Sequence, residues 1–366
     1  MKKILTVDSW SGFGGGQRVA FDLSSGLISK HTFLHMAPAG PFLDLYQQKG
    51  MSVQVIRATQ FIGIVWEIRK AIREQVPDAI HAHGTRAAAW VRIALMTLKQ
   101  KPKMIYTVHG FHLPHRSPVT RFILLRLESF LHRWTDVLVC LSPKDREVIL
   151  KLRLIDANKI EIISNGVDMA YWESGVAHET TSRFPLESDY VIGVVSRLHP
   201  PKDLETVLRA FAQLCASHTQ SCALLIVGDG QLRNNLENLA KELGIDQQTY
   251  FVGDQQDVRP FLYRCNTVVI STKWEGQCLV VLEAAACKKP VVISNFDGVE
   301  EVVRTNQTGL VFPIGSIDQL RECLQQLIDA PDLATSLGNA AHTFIKEQFS
   351  LETTCRAYDA LYQCND

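Results

Sequence analysis

The sequence predicts a two-domain α/β protein built on parallel sheets, and three observations predict it. Short apolar runs alternate with helical patterns through both halves, which argues for parallel sheets covered on both faces. The chain has 366 residues, more than one ordinary core organises. The alternation lapses in a polar stretch, Tyr171 to Asp189 (YWESGVAHETTSRFPLESD), which fits a linker. We therefore expect one domain over residues 1–175 and a second over 186–347.

Taken in order, KILTVDS is a strand and GGGQRVAFDLSSGLIS a glycine loop opening an amphipathic helix. HTFLHMAP, MSVQVIRA, PDAIHAHG, KMIYTVHG and TDVLVCLS are further strands, with helices expected around Arg86–Leu98 and Val119–Trp134. After the polar stretch, YVIGVVSRL, SCALLIVGDG, QTYFVGD, NTVVIST, PVVIS and TGLVFP are strands with helices between them. LETTCRAYDALYQC is a closing helix. Most of the unusual polar residues fall at the ends of strands. Ligands of such sheets bind outside those carboxyl ends.

Composition narrows the class. An apolar fraction of 46% with 21% charged residues fits a soluble globular protein. Nine cysteines without a C-x-x-C pair fit reduced thiols and a cytoplasmic setting better than a disulfide framework. MKKILTVDSW is expected to be a first strand and not a signal peptide. No apolar run reaches the ~18 residues of a membrane span. Residues 1–180 hold 23 Lys+Arg and 15 Asp+Glu, a net +8, leaving −8 for the rest. That asymmetry fits a first half that meets an anionic partner or membrane surface, and equally fits chance. Nothing in it points to nucleic acid.

Several strand ends carry candidate chemistry. Gly14-Gly15-Gly16 follows the first strand and opens a helix, so its amides suit a phosphate; a tight turn explains it equally. It is not the dinucleotide fingerprint. His81 and His83 (HAHG) and His109, His112 and His115 (HGFHLPH) end two strands. No carboxylate or cysteine stands near them to complete a metal site, and we expect no metal. A cleft histidine serves as a hydrogen-bond partner or acid/base, and His109 is the residue favoured for that role. Arg197 and Lys202 (SRLHPPK) are two cations on one strand-end loop, suited to a diphosphate; a solvated basic loop is the plainer reading. Gly228-Asp229-Gly230 and Gly253-Asp254 are turn residues first, and the backbone of Val252 beside them can meet a base edge.

The stretch Ser271–Ser294 (STKWEGQCLVVLEAAACKKPVVIS) holds two carboxylates, Glu275 and Glu283. If both lie on one helix, about 1.5 Å per residue separates them by about 12 Å. A helix start over Gly276, Gln277, Cys278 and Leu279 would offer free amides to phosphate or sugar oxygens. Glu283 lies among apolar residues, where a carboxylate needs a partner: a ribose hydroxyl, or a local Lys288 or Lys289.

In their order and spacing, these segments resemble the retaining glycosyltransferases of family four. They are GGGQRV, PDAIHAHG, YTVHGFH, IISNGVD, VVSRLHPPKD, LLIVGDGQLR, YFVGD, the E-x7-E stretch, GVEEVV and TGLVFP. The resemblance runs nearly end to end. It implies the GT-B architecture: two Rossmann-like domains facing across a cleft, with a C-terminal helix, about 348–366, crossing back onto the first. It implies that Arg197 and Lys202 hold the donor diphosphate and that Glu283 binds ribose hydroxyls. Glu275 would contact the donor sugar beside the amides of Gly276 to Leu279. Gly15 would approach the sugar-phosphate, with Gly16 beside it, and His109 would lie near the anomeric carbon. No metal or other cofactor is implied, only a UDP- or GDP-sugar co-substrate. The implied reaction moves a hexose-type sugar to a hydroxyl of a glycan or lipid-linked glycan, in surface polysaccharide or lipopolysaccharide synthesis. The chain departs from the commoner E-G-F-G at Gln277 and Cys278, and carries Lys288 and Asp297 where glycines are usual. The alternatives are a nucleotide-sugar epimerase of similar plan and a non-catalytic nucleotide-sugar-binding subunit. The helix Val119–Trp134, with Arg121, Arg126 and Arg133 among large apolar residues, is either core or a peripheral contact with an anionic membrane.

Overall fold

The computed structural model describes residues 1–110, 117–174 and 188–364. His112, His115 and most of the expected linker lie outside the described residues. The chain forms two compact units, one of Met1–Gly166 with Leu351–Asp366 and one of Val167–Ser350.

In the first unit the strands are β1 (Lys2–Asp8), β2 (His31–Pro38), β3 (Ser52–Ile56), β4 (Ala79–His83), β5 (Lys103–Thr107), β6 (Val137–Cys140) and β7 (Ile160–Ile162). They pair in parallel in the order β3-β2-β1-β4-β5-β6-β7. The connecting helices are α1 (Gly15–Leu27), α2 (Pro41–Gln48), α3 (Phe61–Gln75), α4 (Thr85–Met96), α5 (Pro118–Leu131) and α6 (Pro143–Lys151). The chain winds outward from β1 to β3, then returns to lay β4 against β1. Strand order therefore reverses between β1 and β4, the place where such sheets leave a crevice. One face of the sheet packs on α3 and α4 through Ile64, Ile68, Trp90 and Val91.

The second unit repeats the plan. Its strands are β8 (Tyr190–Val195), β9 (Cys222–Val227), β10 (Thr249–Gly253), β11 (Thr267–Ile270), β12 (Val291–Ser294) and β13 (Leu310–Phe312), in the parallel order β10-β9-β8-β11-β12-β13. Order reverses between β8 and β11. Its helices are α7 (Met169–Glu173), α8 (Leu204–Ser217), α9 (Arg233–Glu242), α10 (Arg259–Arg264), α11 (Leu279–Ala286), α12 (Ile317–Asp329) and α13 (Pro331–Gln348). The last helix, α14 (Leu351–Gln363), leaves this unit and buries Cys355, Tyr358 and Tyr362 against the first.

The domain boundary differs from the expected one. Residues 167–174 belong to the second unit, not to a first domain ending at 175. The polar residues around them hide two apolar anchors, Val167 and Trp172, both buried in the second core. The Val167 amide bonds Phe349 O at 2.8 Å, and the Tyr171 and Trp172 carbonyls accept from Arg259 and Tyr263. The second unit likewise runs past 347 to Ser350.

Arg92 of α4 is only 1% exposed. It reaches both carboxylate oxygens of Glu128 on α5 at 2.9 Å and lies 5.0 Å from the Tyr106 ring centroid. This pair pins α5 to α4. It leaves Val119, Phe122 and Ile123 on the outside, so the expected core role of this helix holds for only part of its surface. Removing one partner of a buried pair leaves an uncompensated charge. Glu128→Ala is expected to cost about 3–5 kcal/mol in urea unfolding, and replacing both residues by Met distinctly less.

Candidate functional site

The second unit gathers its polar groups where its strand order reverses. The loop after β8 runs Ser196 to Asp203, and the loop after β11 runs Ser271 to Cys278. They are stitched together: Ser271 Oγ donates to Lys202 O at 2.6 Å, Thr272 Oγ1 to Pro201 O at 3.1 Å, and the Lys273 amide to Pro201 O at 2.7 Å. Lys273 Nζ adds an ion pair to Asp203 Oδ1 at 3.2 Å. On this frame the Lys202 ammonium meets the Glu275 carboxylate directly. Both side chains are about four-fifths covered. Burial lowers the Lys202 ammonium from its ordinary value; the nearby Cys278 sulfur opposes that and the Arg197 charge adds to it. Arg197 itself is exposed on the same loop.

The helix after Glu275 begins later than the spacing suggested. Cys278 is its N-cap with extended backbone, and α11 starts at Leu279. Gly276 and Gln277 therefore belong to the loop, and the axial estimate between Glu275 and Glu283 does not apply. The extended backbone of Cys278 is what keeps the two residues before it out of the helix. Leu279 and Val280 provide the first helical amides. Glu283 is half-buried one turn on. Burial raises the thiols of Cys278 and Cys287, the latter to about 12, and the Glu283 charge adds to both shifts. Cys278 is thus a neutral, buried wall against Lys202.

Two glycine turns complete this rim. A Cβ on Gly228 would stand 2.1 Å from Ser196 O, and one on Gly230 would stand 2.5 Å from Leu198 O. Only glycine lets the β9 turn pass so close to the β8 loop. Val252 falls at a β-bulge of edge strand β10, between the pairs Phe251–Ile226 and Gly253–Val227. Its peptide is thereby displaced from the regular ladder.

The first unit places Gly15, Gly16 and His109 at its own reversal point. Gly15 and Gly16 open α1, with Gly14 as N-cap. A Cβ on Gly16 would stand 3.3 Å from His109 Cδ2, so this glycine makes room for the imidazole. His109 Nε2 lies 3.0 Å from His83 Nδ1. His81, beside His83 with ring centroids 4.0 Å apart, bonds Tyr362 OH and Thr107 Oγ1, both at 2.7 Å. His35 bonds Thr6 Oγ1 at 2.8 Å and stacks on Tyr46. Asp8 approaches His35 at 3.7 Å and Gln17 at 3.4 Å. Sequence reasoning singled out His109 and missed this layer as a unit. The signal was present in H-A-H, whose period of two puts His81 and His83 on one face. The α14 tyrosines left no such signal. Among the described residues no three His, Cys, Asp or Glu side chains are grouped as metal ligands.

Residues 13–171 match Glycosyltransferase Family 4, and residues 179–344 match Glycosyl transferases group 1. The chain is 26% identical over 303 residues to an Escherichia coli UDP-Gal:alpha-D-GlcNAc-diphosphoundecaprenol alpha-1,3-galactosyltransferase, covering 80% of this chain and 78% of the relative. It is 30% identical over 235 residues to the lipopolysaccharide core biosynthesis glycosyltransferase LpsE of Rhizobium meliloti, covering 64% and 65%. Among solved structures, Anabaena Alr3699/HepE in complex with UDP-glucose superposes with a TM-score of 0.88 at 21% identity, covering the whole of both chains. That likeness shows the fold.

The histidine layer makes the first unit acid-labile. Burial holds His35 and His81 at about 3, His109 at about 4, and His83 well below its ordinary value. An unfolded histidine titrates near ~6.5. Folded values below unfolded ones mean that protonation favours the unfolded chain. Their contribution is complete above about pH 6.5 and is lost as pH falls. Asp8 is raised by burial, a shift of the opposite sign in its effect on acid stability. Unfolding near pH 5 is expected to take up about one proton at each of His35, His81 and His109, a slope of about 4 kcal/mol per pH unit from those three. Unfolding midpoints between pH 4.5 and 7 check this; a flat profile contradicts it.

Proposed function

Because the chain has the GT-B fold and belongs to the glycosyltransferases, its first half to Family 4 and its second to group 1, we propose a specific reaction. It transfers a hexose-type sugar from a UDP- or GDP-sugar to a hydroxyl of a glycan or lipid-linked glycan, with the anomeric configuration retained. The observation that carries this reading is the contact of Lys202 with Glu275, with Arg197 on the same loop, at the reversal point of the second sheet. UDP is favoured over GDP because HepE binds UDP-glucose and the E. coli relative uses UDP-Gal. The LpsE and E. coli relatives support a role in lipopolysaccharide or surface polysaccharide synthesis. Both relatives are transferases and lend no support to an epimerase.

The chemistry follows from the residues. Arg197 offers a planar fork to phosphate oxygens, and Lys202 a point charge. A diphosphate that engages Lys202 competes with Glu275 and frees that carboxylate to accept from sugar hydroxyls. Gly276, Gln277 and the first amides of α11, from Leu279, add donors at the helix start. Cys278 and Gln277 bound the space left for the sugar. Glu283 takes the ribose hydroxyls and the Val252 peptide the base edge. Gly15 and Gly16 let α1 amides approach phosphate. As the C1–O bond to the diphosphate breaks, the acceptor oxygen bonds C1 on the same face, and its proton passes to the departing phosphate oxygen. The cations stabilise the charge that develops there. Protein cations fill this role in the proposal, so turnover is expected to persist in EDTA.

The acceptor side adds a membrane contact. On α5, Val119, Phe122, Ile123, Leu127 and Phe130 are exposed, and on α3 so are Phe61, Ile62 and Trp66. Arg126 and Arg133 lie over the Phe122 and Phe130 rings. Glu128, the acid of α5, is consumed by Arg92, so the exposed charge of α5 is positive. Apolar residues interleaved with cations suit an anionic bilayer surface. Among the described residues no helix is long and apolar enough to cross a membrane. A peripheral position on the cytoplasmic face is therefore proposed.

Arg197→Ala and Lys202→Ala are each expected to lower transfer by about 10²–10³-fold, the size seen when a preorganised donor is removed. Near-normal turnover by either variant defeats the diphosphate assignment, and NMR of the product's anomeric proton tests retention. Phe122→Ser with Ile123→Ser is expected to abolish sedimentation with phosphatidylglycerol vesicles, and salt to weaken it for the unmodified protein. Binding insensitive to both overturns the membrane contact.

A further inference from the structure

We propose that Arg233 is a positioning residue for the donor's base. Its guanidinium clamps the peptide between Phe251 and Val252, and so aims the Val252 N–H at a carbonyl oxygen on the base edge. The clamp is a property of the protein alone; its effect on binding rests on the proposed nucleotide-sugar donor.

Arg233 is the first residue of α9, and its three guanidinium nitrogens have separate partners. Nη2 donates to Phe251 O at 3.1 Å, Nη1 to Asp229 Oδ2 at 3.0 Å and Nε to Glu237 Oε1 at 2.8 Å. The carboxylate partners lie four residues to either side, and partly exposed ion pairs of that range contribute little. The bond to Phe251 is different. It spans 18 positions, joins α9 to edge strand β10 and ends on a backbone oxygen.

That oxygen and the Val252 N–H are the two ends of one planar trans peptide, and they point in opposite directions. Holding the oxygen therefore fixes the direction of the N–H. Such a fixation matters at this place. Val252 sits in the break of register between the pairs Phe251–Ile226 and Gly253–Val227, where a regular ladder does not set the peptide's angle. On the far side of Val252, Gly253 O accepts from the Gly228 amide at 2.9 Å. A Cβ on Gly253 would stand 3.4 Å from Arg233 Nη1, so the guanidinium lies along the bulge. The Val252 N–H is left facing away from the guanidinium.

The other end of the clamp is anchored as well. Asp229 Oδ1 accepts from the Gly230 amide at 2.7 Å, and Asp229 O from the Leu198 amide at 2.9 Å. Leu198 follows Arg197 on the β8 loop. Arg233 thereby ties the peptide that meets the base to the loop that carries the diphosphate cations. Each of its nitrogens is engaged by a protein oxygen, so its part is to position.

The test uses full-length Arg233→Met, which keeps the stem and removes the donors. Nitrogen-15 relaxation without nucleotide is expected to give the Val252 N–H an order parameter near ~0.85 in the unmodified protein and below ~0.6 in the variant. In calorimetric titrations UDP is expected to bind the variant about tenfold more weakly, and inorganic pyrophosphate equally well in both. Donor KM is expected to rise by the same factor with kcat little changed, as for an interaction made alike in ground and transition states. Arg233→Lys, a point charge in place of the fork, is expected to behave like Arg233→Met. Glu237→Ala, which removes only the ion pair within α9, is expected to change none of these. A Val252 N–H that stays rigid in a folded Arg233→Met or Arg233→Lys overturns the clamp, and so does pyrophosphate binding that falls as far as UDP binding. If the unmodified protein binds neither UDP nor GDP, the donor reading fails, and the order parameter still decides the clamp.

Discussion

The second unit depends on the bonds that tie Ser271, Thr272 and Lys273 to the carbonyls of Pro201 and Lys202. Where strand order reverses, neighbouring strands send their connections to opposite faces, so the loops leaving β8 and β11 tend to diverge. The stitch holds them together at the rim. Lys202 and Glu275 meet because their backbones are held, and not because an isolated ion pair is strong. Helix α11 then starts at Leu279, after the extended N-cap Cys278. Gly276 and Gln277 remain loop backbone between Glu275 and that cap.

The first unit meets the opposite difficulty. Parallel sheets are ordinarily apolar on both faces. In this one Thr6, His35, His81, His83, Thr107 and Asp8 are buried at one sheet. Such a layer is costly unless its hydrogen bonds are filled. The chain's last helix fills many of them: Tyr358 and Tyr362 serve Thr107 and His81, and Asp359 accepts from His31 at 2.9 Å and Lys30 at 2.6 Å. The return of α14 to the first unit is thus a chemical requirement of that sheet as well as a packing event.

Much of this was legible. Strand runs such as YVIGVV and TVVIS stand alone as parallel-sheet strands because both their faces are buried, and all were found where the periodicity put them. Of the residues expected to carry chemistry, Arg197, Lys202, Glu275 and His109 lie on the segments that follow strands, and Glu283 lies one turn inside helix α11. The boundary near 175 was misplaced because Val167 and Trp172 are two apolar residues in polar surroundings, too few to make a period. The helix start at Gly276 was misplaced because free amides look alike in sequence, whether they belong to a loop or to a first turn.

The amino-acid order by itself determined the number of units, the strand-and-helix alternation and the position of each polar residue along its strand. These are local properties, set by side-chain period and by turn chemistry within a few residues. Tertiary structure alone decided which of those residues meet. Lys202 and Glu275 are 73 positions apart, and His81 and Tyr362 are 281 apart. No local preference encodes such contacts. They arise when strand order reverses and when the last helix comes back, because only then do distant loops and distant hydroxyls share one rim and one buried face.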